Sequence, residues 1–476
     1  MFWKTVWKRF YAHRLGRWAF FVVILFCLVG IYAPFLASSK PIFVVYDGEC
    51  DFPLFRYLFY RGFYTKPLDI FFNLLMFTFP AFVLCGLFLK ESRRRVGFLF
   101  CSLVQIALFL YFIFFPLRDP AANIYSPGNW TEEVHKMGPY QRLNVVLRYT
   151  LRKKEHEALL PYAEKYASTM KQAGLNPSLP TLWEVAREHE ESEIQNLQSQ
   201  HSESAQAKLK YILDRRQWLE EQSHNLRFLI MPLISWFHWE DDAGGQQALN
   251  HYIPTWYLTR INRKDLTSAL IFGVRTSLTV GILSVGLALL IGIPIGAFAG
   301  FYGGKFDIVV SRLLEIWEAM PVLFMLLMVV AILQNKSIFL VTLVIGVFGW
   351  TSFSRYVRGE FFKQRSLSYV EACHALGFKN RYIMFKHIMP NAVAPILTLL
   401  PFAIMGAITS EAGLSFLGLG EEGSSSWGVL MDEGRTAFPD ESYLLWPPAI
   451  LLTILLVAIA LVGDSLRDTL DPKLQR

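Results

Sequence analysis

Glu371-Ala-Cys-His-Ala-Leu-Gly377, followed at a short distance by His387-Ile-Met-Pro390-Asn391, is a polar stretch with basic flanks. It separates two apolar segments, about 338–357 and 392–417, each long enough to cross a bilayer as a helix. A hydrophobic protein has little physical reason to place small residues, Gly and Pro at such spacing in a loop unless something docks there. The stretch therefore predicts a membrane fold with a docking site between two spans.

The composition also indicates a membrane protein. Of the 476 residues, 53% are hydrophobic and 18% are charged, whereas about 25% charged is typical of soluble proteins. Apolar runs of about 18 residues are candidates for membrane helices. We expect an all-α polytopic membrane protein with about eight transmembrane helices, in the segments 18–37, 69–89, 97–116, 270–300, 307–333, 338–357, 392–417 and 446–464.

The basic residues indicate the orientation of these helices. The formal net charge is +7, and its Lys and Arg residues cluster in short loops, which typically stay in the cytoplasm. Eight crossings with both termini inside place every cluster on that side, so the charge requires no nucleic-acid partner. The clusters are Lys4, Lys8, Arg9, Arg14 and Arg17; Lys90, Arg93, Arg94 and Arg95; and Arg355, Arg358, Lys363, Arg365, Lys379, Arg381 and Lys386.

The first apolar segment, Trp18–Ala37, is predicted to be a retained signal-anchor helix. It is longer than the roughly 7–15 apolar residues of a signal peptide, and Tyr32, Pro34 and Phe35 make a poor cleavage site. Among the five cysteines, Cys50 is the one expected to face outside. No disulfide framework is therefore expected.

Residues 117–265 are rich in Glu, Gln, Lys and Arg and are predicted to form a small helical domain outside the membrane. Thr181 and Glu184 have the spacing of a capping box, which predicts a helix that runs through Asp214 to Glu221. The segment Phe228–Trp239 is too short to span the bilayer and is expected at the membrane interface.

The sequence shows no pattern of a catalytic site. Gly303-Gly304-Lys305 lacks the first Gly of a phosphate-binding loop and is followed by Phe306. A cluster that could bind a cation has no ligand spacing, and a solvated loop explains it better. We expect no catalytic residue, no cofactor and no metal, and the chain is not expected to be an enzyme. The cluster consists of His238, Glu240, Asp241 and Asp242.

Three carboxylates lie in apolar segments, where an unpaired charge costs several kcal/mol. Arg312 precedes Glu315 by three residues, so these two can pair, and a pair near the membrane surface is favoured for both Glu315 and Glu318. Glu411 has no local partner and must face a bundle interior or a cavity. A role in the translocation path or in packing between subunits stands beside an interior hydrogen bond that holds the fold.

Glu371-Ala372, Gly377 and Pro390 resemble the EAA motif of the permease subunits of ABC importers. Cys373 stands in place of the second Ala of that motif, and Met389 in place of a Leu. Both exchanges keep a small or apolar residue, so the helix and its packing remain feasible.

Further stretches resemble the dipeptide/oligopeptide branch of these importers, and in particular the second, C-type permease of the oligopeptide/microcin C-type subgroup. The resemblance covers about 1–60 and 228–476. The stretches that carry it are Lys40–Pro53, Tyr302–Pro321, Leu414–Gly420 after Glu411, Trp427-Gly428 with Gly434-Arg435, and Gly463–Pro472.

The sequence departs from this branch in two places. Leu258–Asp265 stands where the branch has Gly-Thr-Asp-x-x-Gly-Arg-Asp, and keeps Thr259 and Asp265. The second and third apolar segments and most of 117–227 look like an insertion. The implied organisation is an N-terminal signal-anchor helix with the first outer loop (1–60), an inserted transmembrane hairpin (61–119), an extracytoplasmic helical insert (120–265), and a five-helix permease core (266–476) with a cytoplasmic coupling loop (358–390).

The resemblance implies a permease subunit that forms a path for peptides across a bacterial inner membrane. A coupling helix at about Leu367–Gly377 would seat in a cytoplasmic ATPase subunit, with Glu371 at the contact and Gly377 allowing close approach. The implied partners are a second permease, ATPase subunits that hydrolyse ATP, a solute-binding protein and the lipid bilayer. The alternative is a membrane-anchored sensor or scaffold whose outer helical domain binds a ligand or partner.

Overall fold

The computed structural model describes most of the chain. The residues it describes are 2–122, 129–174, 182–200, 202–234, 265–334, 336–421, 423–436, 438–439 and 444–470.

Up to residue 234 the described chain forms helices and three short strands. They are α1 (Phe2–Ala12), α2 (Arg14–Ile31), α3 (Ala33–Leu36), β1 (Phe43–Tyr46), β2 (Glu49–Asp51), α4 (Pro53–Tyr57), α5 (Pro67–Phe88), α6 (Glu91–Phe114), α7 (Trp130–Lys136), α8 (Pro139–Gln172), α9 (Leu182–Ser199), α10 (Glu203–Ser223) and β3 (Leu226–Ile230).

From residue 265 onward the described chain is helical. The elements are α11 (Leu266–Tyr302), α12 (Gly304–Glu318), α13 (Val322–Leu333), α14 (Ile338–Arg365), α15 (Ser368–Ala375), α16 (Asn380–Tyr382), a π-helical segment (Ile383–Ile388), α17 (Met389–Leu397), α18 (Leu400–Leu414), a second π-helical segment (Ser415–Leu419), α19 (Trp427–Thr436) and α20 (Trp446–Leu470).

Seven stretches of helix in the described residues are long and apolar enough to cross a membrane, and the bent pair α12–α13 makes an eighth if it is one span. The two helices of that pair meet at 73°, just before Pro321. The prediction of an all-α protein with about eight spans is confirmed. The first span ends earlier than predicted, because α2 stops at Ile31 and α3 follows as a separate short helix.

The chain divides into two compact units, which are described separately below. The permease unit, named after the resemblance in its sequence, comprises Met1–Val29 and Phe272–Arg476. The outer unit, named after the predicted location of its helical segment, comprises Gly30–Ile271.

The outer unit contains a small antiparallel sheet in the order β2-β1-β3. Strands β1 and β2 join through Asp47 and Gly48, which have φ of 51° and 80°, the two positive values that a type I′ hairpin turn requires. Val44 of β1 packs against Leu143 and Leu147 of α8. The segment predicted for the membrane interface begins as strand β3, and its residues from 235 onward lie outside the described residues.

The single helix predicted from Thr181 to Glu221 is wrong. The structure has two helices there: α9 ends at Ser199, and α10 begins at Glu203 after Ser202. The Ser202 hydroxyl accepts the backbone N–H of Ala205 at 3.3 Å and so begins a new helix as its N-cap. Thr181 itself lies outside the described residues.

The permease unit is held together by close contact between α11 and α14. Gly292, Gly296 and Gly300 lie one turn apart on α11, and a Cβ on any of them would overlap a backbone carbonyl oxygen of α14. Small residues at this spacing let membrane helices approach closely. Because α14 leads directly into α15, this contact gives the predicted coupling loop a rigid base.

Candidate functional site

The predicted coupling loop forms a short helix, α15, that packs against the permease unit by one face. Val370 and Cys373 of α15 are buried in a cluster with Phe361 of α14 and with Met384 of the first π-helical segment. The Cys that replaces the second Ala of the motif is therefore a packing residue.

Gly377 ends α15 in a left-handed conformation, with φ of 78°. Its N–H donates to the carbonyl of His374 at 2.9 Å, and the N–H of Phe378 donates to the carbonyl of Cys373 at 3.1 Å. These two bonds form a Schellman motif, which favours Gly at this position. Apart from its two chain neighbours, no described residue has an atom within 4 Å of where a Cβ would stand. The backbone conformation, and not crowding within this chain, requires glycine.

The opposite face of the loop is exposed. Glu371 and Ala372 are exposed on α15, and the Glu371 side chain forms no hydrogen bond or ion pair with any described residue, Lys379 and Arg381 included. Large apolar side chains beside them are also exposed, and such surfaces typically mark interaction sites. We call this set the coupling face: Glu371, Ala372, Leu376, Phe378, Tyr382 and Phe385.

Side-chain hydrogen bonds connect α15 to the helices before and after it. The Tyr369 hydroxyl donates to Gln364 of α14 at 2.8 Å and accepts from the Asn391 amide at 3.4 Å. The Asn391 amide also donates to the carbonyl of His387 at 3.0 Å. Pro390, exposed beside it, lies in the first turn of α17, where its missing N–H is tolerated. No sequence pattern indicated Tyr369, which links the loop to both flanking helices.

The turn between α11 and α12 is fixed by two arginines of α14. Gly303 and Gly304 have φ of 65° and 58°. Arg358 forms a bidentate ion pair with Asp307, with its Nη2 2.8 Å from Oδ2. Arg365 donates to the carbonyl of Phe301 at 3.0 Å. In the sequence both arginines indicate only the topology.

Arg358→Ala is expected to destabilise the permease unit by about 1–3 kcal/mol, because Asp307 is only 15% exposed and would lose its charged donor. Arg312→Ala is the matched control. Its pair with Glu315, at 2.5 Å, is 71% and 54% exposed, and such surface pairs contribute about 0–1 kcal/mol. Thermal unfolding of each purified variant in detergent measures its loss of stability relative to the wild type. Equal shifts in Tm for the two variants would contradict the prediction.

Glu411 lies at the centre of a buried hydrogen-bonded cluster. The residue is fully buried, and its Oε1 accepts the hydroxyls of Ser415 at 2.7 Å and Ser426 at 2.6 Å. The Ser426 hydroxyl also accepts the N–H of Gly428 at 3.2 Å. Oε2 is buried and has no hydrogen-bond partner in the described part of the chain. Three sequence features that carry the family resemblance therefore meet at one place. They are Glu411, Leu414–Gly420 and Trp427-Gly428.

The other carboxylates of the apolar segments are paired as expected. Arg312 contacts Glu315 within α12, and Arg355 of α14 donates to Glu318 at 2.6 Å. All four side chains are more than a third exposed, so these pairs contribute little to stability.

Within the permease unit, the C-terminal stretch contacts both α18 and the junction of the two N-terminal helices. Gly463 of α20 lies against Pro401 and Phe402, where a Cβ would come within 3.1 Å of either side chain. The Ser465 hydroxyl lies 3.0 Å from Nδ1 of His13. The end of this stretch, Asp471-Pro472, lies outside the described residues.

Asp265 is the last residue of Leu258–Asp265, the stretch that differs from the pattern of the dipeptide/oligopeptide branch. It is the buried N-cap of α11. Its Oδ1 accepts the N–H of Ser268 at 2.6 Å. Burial raises the pKa of the Asp265 carboxyl to about 7, an effect larger than the opposing influence of its hydrogen bonds.

Residues 258–264 lie outside the described residues, as does the candidate cation cluster of His238, Glu240, Asp241 and Asp242. Among described residues, no group of three or more His, Cys, Asp or Glu could hold a metal ion.

The raised pKa of Asp265 predicts a pH-dependent stability. A carboxyl that binds its proton more tightly in the folded state destabilises that state as pH rises from about 4, the unfolded value, to about 7. We expect the Tm of the wild type to fall across this window. Asp265→Asn keeps an oxygen that can accept from Ser268 but cannot ionise, so it should flatten the fall. An unchanged pH profile in the variant would contradict this assignment.

Comparisons with known proteins match both ends of the chain to transport proteins. Residues 292–476 match the family described as binding-protein-dependent transport system inner membrane component. Residues 1–49 match the N-terminal TM domain of oligopeptide transport permease C. Neither range includes residues 50–291, which contain the hairpin predicted to be an insertion.

Individual relatives agree with these matches. The oligopeptide transport system permease protein OppC of Haemophilus influenzae is 37% identical over 216 residues, which is 45% of this chain and 69% of that protein. OppC of Bacillus subtilis is 35% identical over 222 residues, 46% of this chain and 72% of that protein. The peptidoglycan transport system permease protein YejE of Agrobacterium fabrum is 36% identical over 219 residues, 46% of this chain, and the match spans only 57% of that protein.

The spans and the two matched regions define a multi-pass inner-membrane protein of the permease class. The chain belongs to the family of binding-protein-dependent transport system inner membrane components and resembles its oligopeptide C-type permeases. The resemblance identified from the sequence is confirmed.

Proposed function

We propose that this chain is a permease subunit of an ATP-driven importer and forms, with a second related permease, a path for peptides across the inner membrane. The observation that carries the proposal is the coupling face, an exposed and partly apolar surface on a helix whose other side is packed into the permease unit. Movement of a partner bound there would pass directly to α14 and α17, which Tyr369 connects.

The energy for transport must come from a partner, because the sequence has no phosphate-binding loop. A cytoplasmic ATPase subunit fits the coupling face, since the basic loops around it favour the cytoplasmic side. The same rule favours the cytoplasm for both termini. It favours the opposite side, where a solute-binding protein would deliver substrate, for helices α7 to α10 of the outer unit. Peptides are the proposed substrate class because the relatives include oligopeptide and dipeptide permeases.

Copurification and transport test the proposal together. The tagged chain, isolated from its native membranes in mild detergent, is expected to bring with it a second permease and ATPase subunits. Proteoliposomes containing that complex and its binding protein should accumulate labelled oligopeptides only when ATP is supplied on the side of the coupling face. Isolation of the chain without any ATPase would overturn the coupling proposal. An active ATPase complex that transports no peptide would overturn the substrate class alone.

A further inference from the structure

The N-terminal helix α1 lies beside the beginning of the first span and does not extend away from it. In a straight helix Trp7 and Phe20 would be separated by about 20 Å along the axis. Their ring centroids are only 5.9 Å apart, and those of Tyr11 and Phe20 are 6.3 Å apart. The chain therefore bends at His13, which separates the two helices, and α1 folds back to the level of the first turns of α2.

This position is fixed from one side by α20. Val6 and Phe10, one turn apart on α1, are buried, and α1 packs against α20. His13 caps α2 by accepting the N–H of Gly16 at 3.2 Å, and it contacts Ser465 of α20 at 3.0 Å. Because α2 and α20 both span the membrane, α1 is held at the membrane boundary.

The remaining surface of α1 has two different faces. Trp7 and Tyr11 are 47% and 42% exposed on one flank, next to the buried face. Lys8 and Arg9 are also exposed. With about 100° of rotation per residue, Lys8 lies next to Tyr11 around the helix and Arg9 lies on the other flank of the buried face. Neither forms an ion pair with a described residue. Residues 1–17 contain five Lys and Arg residues and no Asp or Glu, so this stretch carries a net positive charge. The exposed carboxyl groups on the helix packed against it are those of Asp464 and Asp468 of α20.

We propose that α1 is an interfacial helix that binds the headgroups of anionic phospholipids. Tryptophan and tyrosine side chains favour the boundary between headgroups and acyl chains. Exposed basic side chains of such a helix bind anionic lipid, with about a fivefold gain in affinity for each charge near the surface. Through Phe10, His13 and Ser465, the bound lipid stabilises the junction of α2 and α20.

Hydrogen–deuterium exchange of the full chain in lipid nanodiscs tests this inference. Backbone amides of residues 6–12 are expected to exchange more slowly in phosphatidylcholine with one-third phosphatidylglycerol than in phosphatidylcholine alone. Lys8→Gln/Arg9→Gln should remove most of that protection, by up to about thirtyfold for two charges. High salt should weaken the protection of the wild type in the same way.

The matched control is Lys379→Gln/Arg381→Gln, which removes the same charge from the exposed coupling loop. It should leave the exchange of α1 unchanged. Equal exchange in both lipids, or an equal effect of the control, would overturn the proposal. Both leaflets of the nanodisc have the same composition and no transport is measured, so the outcome depends neither on topology nor on the proposed function.

Discussion

Gly377→Val is expected to abolish substrate-stimulated ATP hydrolysis by the assembled complex while the permease remains folded. A β-branched residue at φ of 78° is strained by roughly 1–2 kcal/mol, and relief of that strain breaks the two hydrogen bonds that end α15. Phe378 and the rest of the coupling face would then move relative to α15. Because the strain lies in an exposed loop, the membrane helices should be unaffected.

Gly359→Val is the matched control for this experiment. Gly359 is also exposed and has open space around it, but it lies inside α14 with helical φ. Val is no worse than Gly in a helix interior, so the control should retain its stimulation. Stimulated ATP hydrolysis at the wild-type rate in Gly377→Val, with the ATPase still bound, would contradict the role proposed for the turn.

Glu371→Arg tests the same surface without touching the backbone. The Glu371 side chain has no partner within the described residues, so replacing it should cost the isolated chain little stability. If the ATPase contacts it, reversing the charge should weaken copurification of that subunit by about 10-fold or more, as for a charge pair lost from an interface. Glu371→Gln should give a smaller loss. Undiminished binding in both variants would remove Glu371 from the coupling face.

The short helix and the glycine turn of the proposed coupling loop could be predicted from the sequence because their signals are local. A Gly that ends a helix, a Pro in a first turn and small residues between two long apolar segments are all visible within 20 residues of sequence. The spans could be predicted for the same reason, since each depends on the apolar content of one segment.

Features that depend on distant residues could not be predicted in this way. Arg358 looks like any other basic residue of a cytoplasmic loop until α12 brings Asp307 beside it, 51 residues away. Strand β3 lies 180 residues or more from its partner residues in β1, and in the sequence its short apolar run indicates an interfacial segment. The boundary between α9 and α10 is hard to predict because its N-cap, Ser202, lies within a continuous pattern of helix-forming residues.

The buried cluster around Glu411 yields the second large effect. Glu411→Ala is expected to destabilise the permease unit by about 2–5 kcal/mol, because it leaves a cavity and removes the acceptor of two buried serine hydroxyls. That corresponds to a fall in Tm on the order of 10 °C. Glu411→Gln keeps an oxygen where Oε1 now accepts both hydroxyls, so its Tm should lie much closer to that of the wild type.

The same pair of variants separates the two roles that the sequence left open for Glu411. If the carboxylate mainly holds α18 to the segment before α19, transport should follow stability, and Glu411→Gln should transport nearly as well as the wild type. Ser426→Ala removes one of the two hydroxyls that donate to Oε1 of Glu411, so it should cause a small loss of stability and a small loss of transport. A stable Glu411→Gln complex that hydrolyses ATP but imports no peptide would instead place the charge of Glu411 in the translocation path. We expect the first result, because both donors to Glu411 come from its own chain and the side chain has no exposed surface there.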